Sequence, residues 1–274
     1  MIERRTRDAV LLLDVGNTRL KWAVLRGPYR PGVAFSERGV LELTALAGAG
    51  SALRRLLSRH APLAGIEACN VAGPAIERRL AAIVRSTGLS GPRFVRTRHR
   101  AGGVKNAYAE PWRLGADRWA SLIGAHAEYP GRSVCLAAVG TAMTIDLLDA
   151  SGRHRGGSIM PGPKLMIDAL LDRTAGIRRR AGGRRASDSL PERRLSAFAR
   201  DTRGAVAAGA VGAAAALVHE SVRAARELLG DAPLLILSGG AADAVARQLR
   251  IRHRREDDLA LRGLAALRID RALD

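Results

Sequence analysis

The chain has 274 residues, 47% of them hydrophobic, which excludes a disordered protein and suits two domains of ordinary size. Its formal net charge of +19 rests on three lysines (Lys21, Lys105 and Lys164) against 42 arginines spread along the chain. With only 3% aromatics it offers no stacking platform for single-stranded nucleic acid, so the basicity reads as a composition bias rather than a binding face.

The first half alternates strands and helices. Strands are expected over 9–13, 20–26 and 33–41, then a helix over 43–58. A strand over 66–71, a helix over 74–85 with Pro74 in its first turn, and a short strand over 93–97 follow. A loop over 98–113 leads to a helix over 115–128, and Pro130-Gly131 marks a domain boundary. The second half opens with strands over 133–139, 143–149 and 155–160, then a helix over 163–174. Residues 176–194 carry Gly, Arg and Ser without a period and read as a mobile loop. A long Ala-rich helix over 202–229, a buried strand over 234–237, and helices over 242–249 and 258–269 complete the chain. The expected domains are 1–130 and 131–274.

The two cysteines, Cys69 and Cys135, lie in apolar runs and read as reduced core residues without metal spacing. No apolar stretch of about 18 residues and no signal-peptide core is expected, which leads to a soluble cytoplasmic protein without a membrane partner.

The most informative stretch is VLLLDVGNTRLK, a buried strand running into a Gly16-Asn17 turn and a returning strand. Gly-Asn is a hairpin signal because both residues tolerate positive φ. Asp14, the turn amides, Thr18 and Lys21 would converge at one strand end. That set suits a nucleotide phosphate tail with a divalent metal on Asp14. An ordinary hairpin with a polar tip is the alternative. The spacing is not that of a Walker A loop.

Four further segments bear on the same chemistry. Leu114-Gly115-Ala116-Asp117-Arg118 places a carboxylate at a helix entry, as a general base or as a partner of the helix dipole. Gly140-Thr141 opens a strand whose alternation sets Thr144 and Asp146 on one face, Met143 and Ile145 on the other. The glycines of Gly156–Gly162 and of Ser238-Gly239-Gly240 suit close backbone approach. The echo between DVGNT and VGTAMT suggests two similar domains facing one cleft.

Taken together and in order, these segments resemble the type III pantothenate kinases, the family that includes the Bvg accessory factor proteins. The resemblance rests on DVGNTRLK, GVKNAYAEP, LGADRWASLIGAH, GTAMTID, GGSIMPG and SGGAAD. It implies an α/β fold of two ribonuclease-H-like (actin-like ATPase) domains with an interdomain cleft, and a homodimer. It also implies ATP- and Mg2+-dependent phosphorylation of pantothenate to 4′-phosphopantothenate, the first step of coenzyme A biosynthesis. By position, Asp14, Val15, Gly16, Asn17, Thr18, Arg19, Leu20, Lys21 and Thr141 would hold ATP, with Mg2+ on Asp14 directly or through water. Tyr108, Gly115, Ala116, Asp117 and Arg118 would hold pantothenate, Asp117 accepting its proton, and Thr202 would reach the partner protomer's substrate. The family commonly has Asp two residues before the second loop's glycine, linked to a monovalent cation (K+ or NH4+). Ala138 stands there, so no cation requirement, or a weaker one, is expected.

The rival reading is a regulatory or nucleic-acid-binding protein on the same fold. It would rest on the charge, on the departure at Ala138 and on the basic clusters 178–185 and 247–255. No helix-turn-helix, zinc-finger or RNA-binding signature accompanies them.

Overall fold

The computed structural model describes residues 9–46, 50–182 and 190–272. The chain divides into two compact units, one of residues 1–131 with 258–274 and one of residues 132–257.

The first unit is built on a sheet of five strands: β1 (Ala9–Val15), β2 (Arg19–Arg26), β3 (Glu37–Glu42), β4 (Gly65–Asn70) and β5 (Arg93–Phe94). Their order is β3-β2-β1-β4-β5, with β1 antiparallel to β2 and parallel to β4. A separate small hairpin pairs β6 (Arg100–Ala101) with β7 (Val104–Lys105). Alternation along β1 sends Leu11, Leu13 and Val15 into one core with Leu53, Leu56 and Leu57 of α1 (Ser51–His60) and Leu80, Ile83 and Val84 of α2 (Pro74–Arg85). Asp14 therefore stands on the opposite face. That face is covered by α3 (Ala116–Glu128) and α8 (Leu259–Ala272).

Helices α3 and α8 meet through two glycines. A Cβ on Gly124 would stand 2.0 Å from the Leu259 carbonyl oxygen, and one on Gly263 would stand 1.8 Å from that of Ala120. Only bare backbone permits so close an approach. Glu128 adds an ionic clamp: Arg262 Nη1 donates to it at 2.9 Å and the Gly32 amide at 2.8 Å. This contact explains why 258–274 group with the first unit, where a boundary at 130/131 would have left them in the second.

The second unit repeats the architecture with strands β8 (Val134–Val139), β9 (Ala142–Leu148), β10 (His154–Pro161), β11 (Leu234–Ser238) and β12 (Arg254–Arg255). Their order is β10-β9-β8-β11-β12. Helices α4 (Pro163–Arg173), α5 (Ala175–Arg180), α6 (Thr202–Leu229) and α7 (Ala242–Ala246) complete it. Met143 and Ile145 lie in the core with Val211, Ala214 and Val218 of α6, as the alternation requires. Asp146, on the other face, is buried and pairs with His154 Nε2 at 2.9 Å. Both units are thus ribonuclease-H-like, with matching strand order and matching parallel and antiparallel pairings.

Several local expectations change. The turn after β1 uses no left-handed residue: φ is positive at neither Gly16 nor Asn17. Val15 pairs with Leu20 and the Gly16 amide donates to the Arg19 carbonyl at 2.9 Å, so a wider turn replaces the tight Gly-Asn hairpin. The helix expected over 43–58 is a 3-10 turn (Leu43–Leu46) and then α1, with 47–49 outside the described residues. Residues 176–180 of the supposed loop are helical, while 183–189 of that loop, with 183–185 of its basic cluster, lie outside the described residues. The loop expected over 98–113 contains the β6–β7 hairpin. Contrary to the expectation of no such stretch, α6 is long and apolar enough by composition to cross a membrane. Its apolarity is mostly alanine, and one face packs on the second sheet.

Candidate active site

The end of β1 carries the candidate phosphate loop. Val15 and Leu20 are fully buried core residues, so they anchor the loop to the sheet rather than meet a ligand. Asn17, Thr18 and Arg19 are exposed at the turn. The loop is tied down from both sides: Val71 N donates to the Val15 carbonyl at 3.0 Å and Leu43 N to the Thr18 carbonyl at 2.8 Å. Arg19 is engaged laterally by Glu42 at 3.0 Å.

Asp14 is half-buried, and burial raises its carboxyl pKa. The charge of Asp117 raises it further, while Lys21 and a hydrogen bond from Cys69 oppose the rise. Cys69 Sγ donates to Asp14 Oδ1 at 3.3 Å, across the Asp14↔Cys69 register of β1 and β4. The Cys69 thiol is itself pushed up, by burial first and then by Asp14 and Asp117. Asp14, Lys21, Cys69 and Asp117 therefore form one electrostatic group within the first unit.

Asp117 stands in the first turn of α3, just after Gly115. Its Oδ1 accepts from the Arg118 amide at 2.7 Å and folds back over Gly115, where a Cβ would come within 2.7 Å of it. Glycine at 115 thus leaves room for the carboxylate, and a Cβ there would also meet Val71, the residue after β4, at 3.9 Å. Arg118 is buried, and its Nη1 donates to the Tyr108 hydroxyl at 3.3 Å. Tyr108 is fixed in turn by Asn106, whose Oδ1 accepts from the Tyr108 amide at 2.9 Å. Tyr108, Gly115, Ala116, Asp117 and Arg118 are consequently one connected wall beside Asp14.

Thr141 belongs to the second unit and is exposed at the turn between β8 and β9. That turn is hemmed in by backbone: Gly162 N donates to the Thr141 carbonyl at 2.8 Å, and a Cβ on Gly162 would meet the Gly140 oxygen at 2.0 Å. Ala138, where the family carboxylate is absent, pairs with Thr144 and Ser238. Thr202 opens α6, next to Asp201, whose Oδ1 accepts from Gly204 N at 2.8 Å as the cap.

Sequence reasoning missed Cys69 and Asn106. Cys69 could have been found from strand alternation: it shares a face with Asp14 because Ala68 faces the α1/α2 core. Of the second basic cluster, Arg255 is spent on Asp243 at 3.0 Å and Asp257 at 2.5 Å, and it also donates to the Gly239 carbonyl.

Two carboxylates, a lysine and a turn rich in backbone donors can bind a phosphorylated ligand with a hard cation and hold a hydroxyl near a base. Comparison with known proteins agrees with this chemistry. A family model for type III pantothenate kinases matches residues 10–224. A type III pantothenate kinase of Burkholderia thailandensis is 40% identical over 261 residues, covering 94% of this chain and 96% of the relative. That of Burkholderia cenocepacia is 39% identical over 267 residues, covering 96% of each. Among solved structures, a Campylobacter jejuni protein described as a Baf family transcriptional activator superposes with a TM-score of 0.59 at 17% identity. The match covers 96% of this chain and 100% of that one, a likeness of fold. The match along nearly the whole chain, with DVGNT and GADR in place, makes this protein a member of the type III pantothenate kinase family.

Proposed function

We propose that the chain transfers the γ-phosphoryl group of ATP to the primary hydroxyl of pantothenate, giving 4′-phosphopantothenate and ADP at the entry to coenzyme A biosynthesis. The observation that carries this reading is the place of Asp117, in the first turn of α3 where that helix packs on β4, the strand next to Asp14's own. A carboxylate at a helix entry, on the side of the sheet where the candidate phosphate loop ends, supports a general-base role.

In this mechanism Gly16 closes the turn through its bond to Arg19, the exposed residues Asn17 and Thr18, with Lys21, hold the ATP phosphates of the first loop, and Thr141 contacts them from the second. Tyr108, Gly115 and Arg118 fix pantothenate so that its hydroxyl points at Asp117. Asp117 takes the hydroxyl proton while the new O–P bond forms and the bond to the ADP oxygen breaks. Catalysis of this kind is chiefly alignment and charge neutralisation.

Asp14 is the group that would hold Mg2+, and a half-buried carboxylate crowded by a second one fits a divalent cation. Among the described residues no three His, Cys, Asp or Glu side chains gather as a metal cage, and Mg2+ often uses only one or two carboxylates together with substrate phosphates. When bound, Mg2+ offsets charge on the β- and γ-phosphates.

We infer further that the enzyme is a cytoplasmic homodimer in which Thr202 reaches the partner's substrate. Ala138 leaves any monovalent cation only carbonyl and hydroxyl oxygens, so activation by K+ is absent or weak. The deciding assay measures ADP release from ATP, Mg2+ and pantothenate, with light scattering to give the mass in solution. Asp117→Asn is expected to keep ATP binding and lose about 10²- to 10⁴-fold in turnover. Turnover near that of the parent would remove Asp117 from the base role.

A further inference from the structure

The reaction as derived gives Cys69 no part, yet its thiol donates to the carboxylate that faces the phosphates. We propose that Cys69 is a positioning residue for Asp14: it holds Oδ1 on the β4 side and leaves Oδ2 to the cation and its water shell. This deepens the kinase reading and rests on its assignment of Asp14.

Three observations carry it. Cys69 is wholly buried in β4, directly across the parallel ladder from Asp14, so the donor is fixed by backbone pairing and not by a mobile loop. Sγ stands 3.3 Å from Oδ1, and a hydrogen bond to an ionised acceptor is stronger than its neutral counterpart. Finally, α3, which carries Asp117 in its first turn, packs on β4, so a second carboxylate stands on this side of the sheet. Repulsion from Asp117 would turn an unrestrained Asp14 carboxylate away, and a donor on the neighbouring strand resists that rotation.

The second unit supports the same logic. Its corresponding register pair is Ala138↔Ser238, one residue before the end of β8 as Asp14 is one residue before the end of β1. Where the carboxylate is missing, the facing residue is a serine, whose side chain is close in size to cysteine's. Serine is therefore the substitution that should restore the donor at 69.

The test uses the full-length protein with Mn2+ as probe, its binding in the presence of ADP followed by electron paramagnetic resonance, alongside steady-state kinetics. Cys69→Ala should weaken Mn2+ binding by about fivefold and lower kcat similarly, with KM for pantothenate unchanged. Cys69→Ser should return both to within about twofold of the parent, as a hydroxyl is the stronger donor. If circular dichroism finds the Ala variant unfolded, Cys69→Val, a strand former of similar volume, replaces it. Parent-like Mn2+ binding in the apolar variant, or a Ser variant as impaired as it, would overturn the proposal. So would a parent that binds no Mn2+ with ADP. A parent that binds Mn2+ in the expected order across the variants but consumes no ATP with pantothenate would sink the kinase reading alone.

Discussion

The turn after β1 and the turn after β8 occupy equivalent places in two sheets of one topology, and they are built to opposite specifications. In the first, charge is concentrated: Asp14, Lys21 and Cys69 meet at the strand end with Asp117 facing them. The second has Ala138, Thr144 and Ser238 at the matching positions and no ionisable group among the three. What it has instead is tightness, since Gly162 and Gly239 both press on its backbone, with Cβ positions 2.0 Å from the Gly140 oxygen and 2.4 Å from the Val139 oxygen. A duplicated fold has kept its two turns and divided the labour, electrostatics on one side and shape on the other.

Removing the charge from the first turn should have the largest effect. Asp14→Asn is expected to reduce kcat by about 10²-fold or more at any Mg2+ concentration, read by ADP release. Undiminished turnover would mean that the charge concentration has no catalytic use. Next comes the shape of the second turn: Gly162→Ala places a methyl group against fixed carbonyls and should cost about 1–3 kcal/mol, measured by denaturant unfolding. A neutral result there would mean that the turn gives way easily, and the contrast between the two sites would weaken.

The same Asp14→Asn exchange sharpens the comparison through stability. Because the folded-state pKa of Asp14 is raised, the folded protein binds this proton more tightly than the unfolded chain. The carboxyl's contribution to stability is then fully present below the unfolded pKa and is lost as pH rises through the folded one. Without Mg2+ at neutral pH, the Asn variant should melt above the parent, and the gap should close as the pH falls toward the ordinary carboxyl range, about 4. A gap that widens on acidification would reverse the sign assigned to Asp14. The smallest effect is expected from Ala138→Asp, which restores a carboxylate to the second turn. Activation by K+ should rise a few-fold over the parent, and an unchanged K+ titration would show that this position alone does not govern cation response.

Much of this architecture is legible in the amino-acid sequence. Pro74 in a first turn announces α2, and the helices expected over 74–85 and 202–229 keep those bounds in the fold. The apolar runs of β1, β4, β8 and β11 are buried strands, legible because each run is too short for a helix and too apolar for a solvated loop. What stays hidden depends on contacts distant in sequence. Cys69 reads as one more apolar residue until the β1–β4 register sets it against Asp14. The attachment of α8 to α3 depends on Gly124 and Gly263, far apart in the chain, neither of which signals a partner. The Gly16-Asn17 turn misleads for a local reason, because residues that tolerate left-handed backbone are not compelled to adopt it.

The α3–α8 contact also bears on synthesis. As the chain leaves the ribosome, the helix that starts beside Asp117 lacks its cover until residues 132–257 of the intervening unit and then α8 have been made. The inserted unit can collapse first around its own core, while the earlier half waits with an apolar flank open to water. Placement of the helix that carries Asp117 is thereby tied to the synthesis of α8, and a nascent polypeptide halted before Gly263 would carry Asp14, Tyr108, Asp117 and Arg118 without the helix that covers α3.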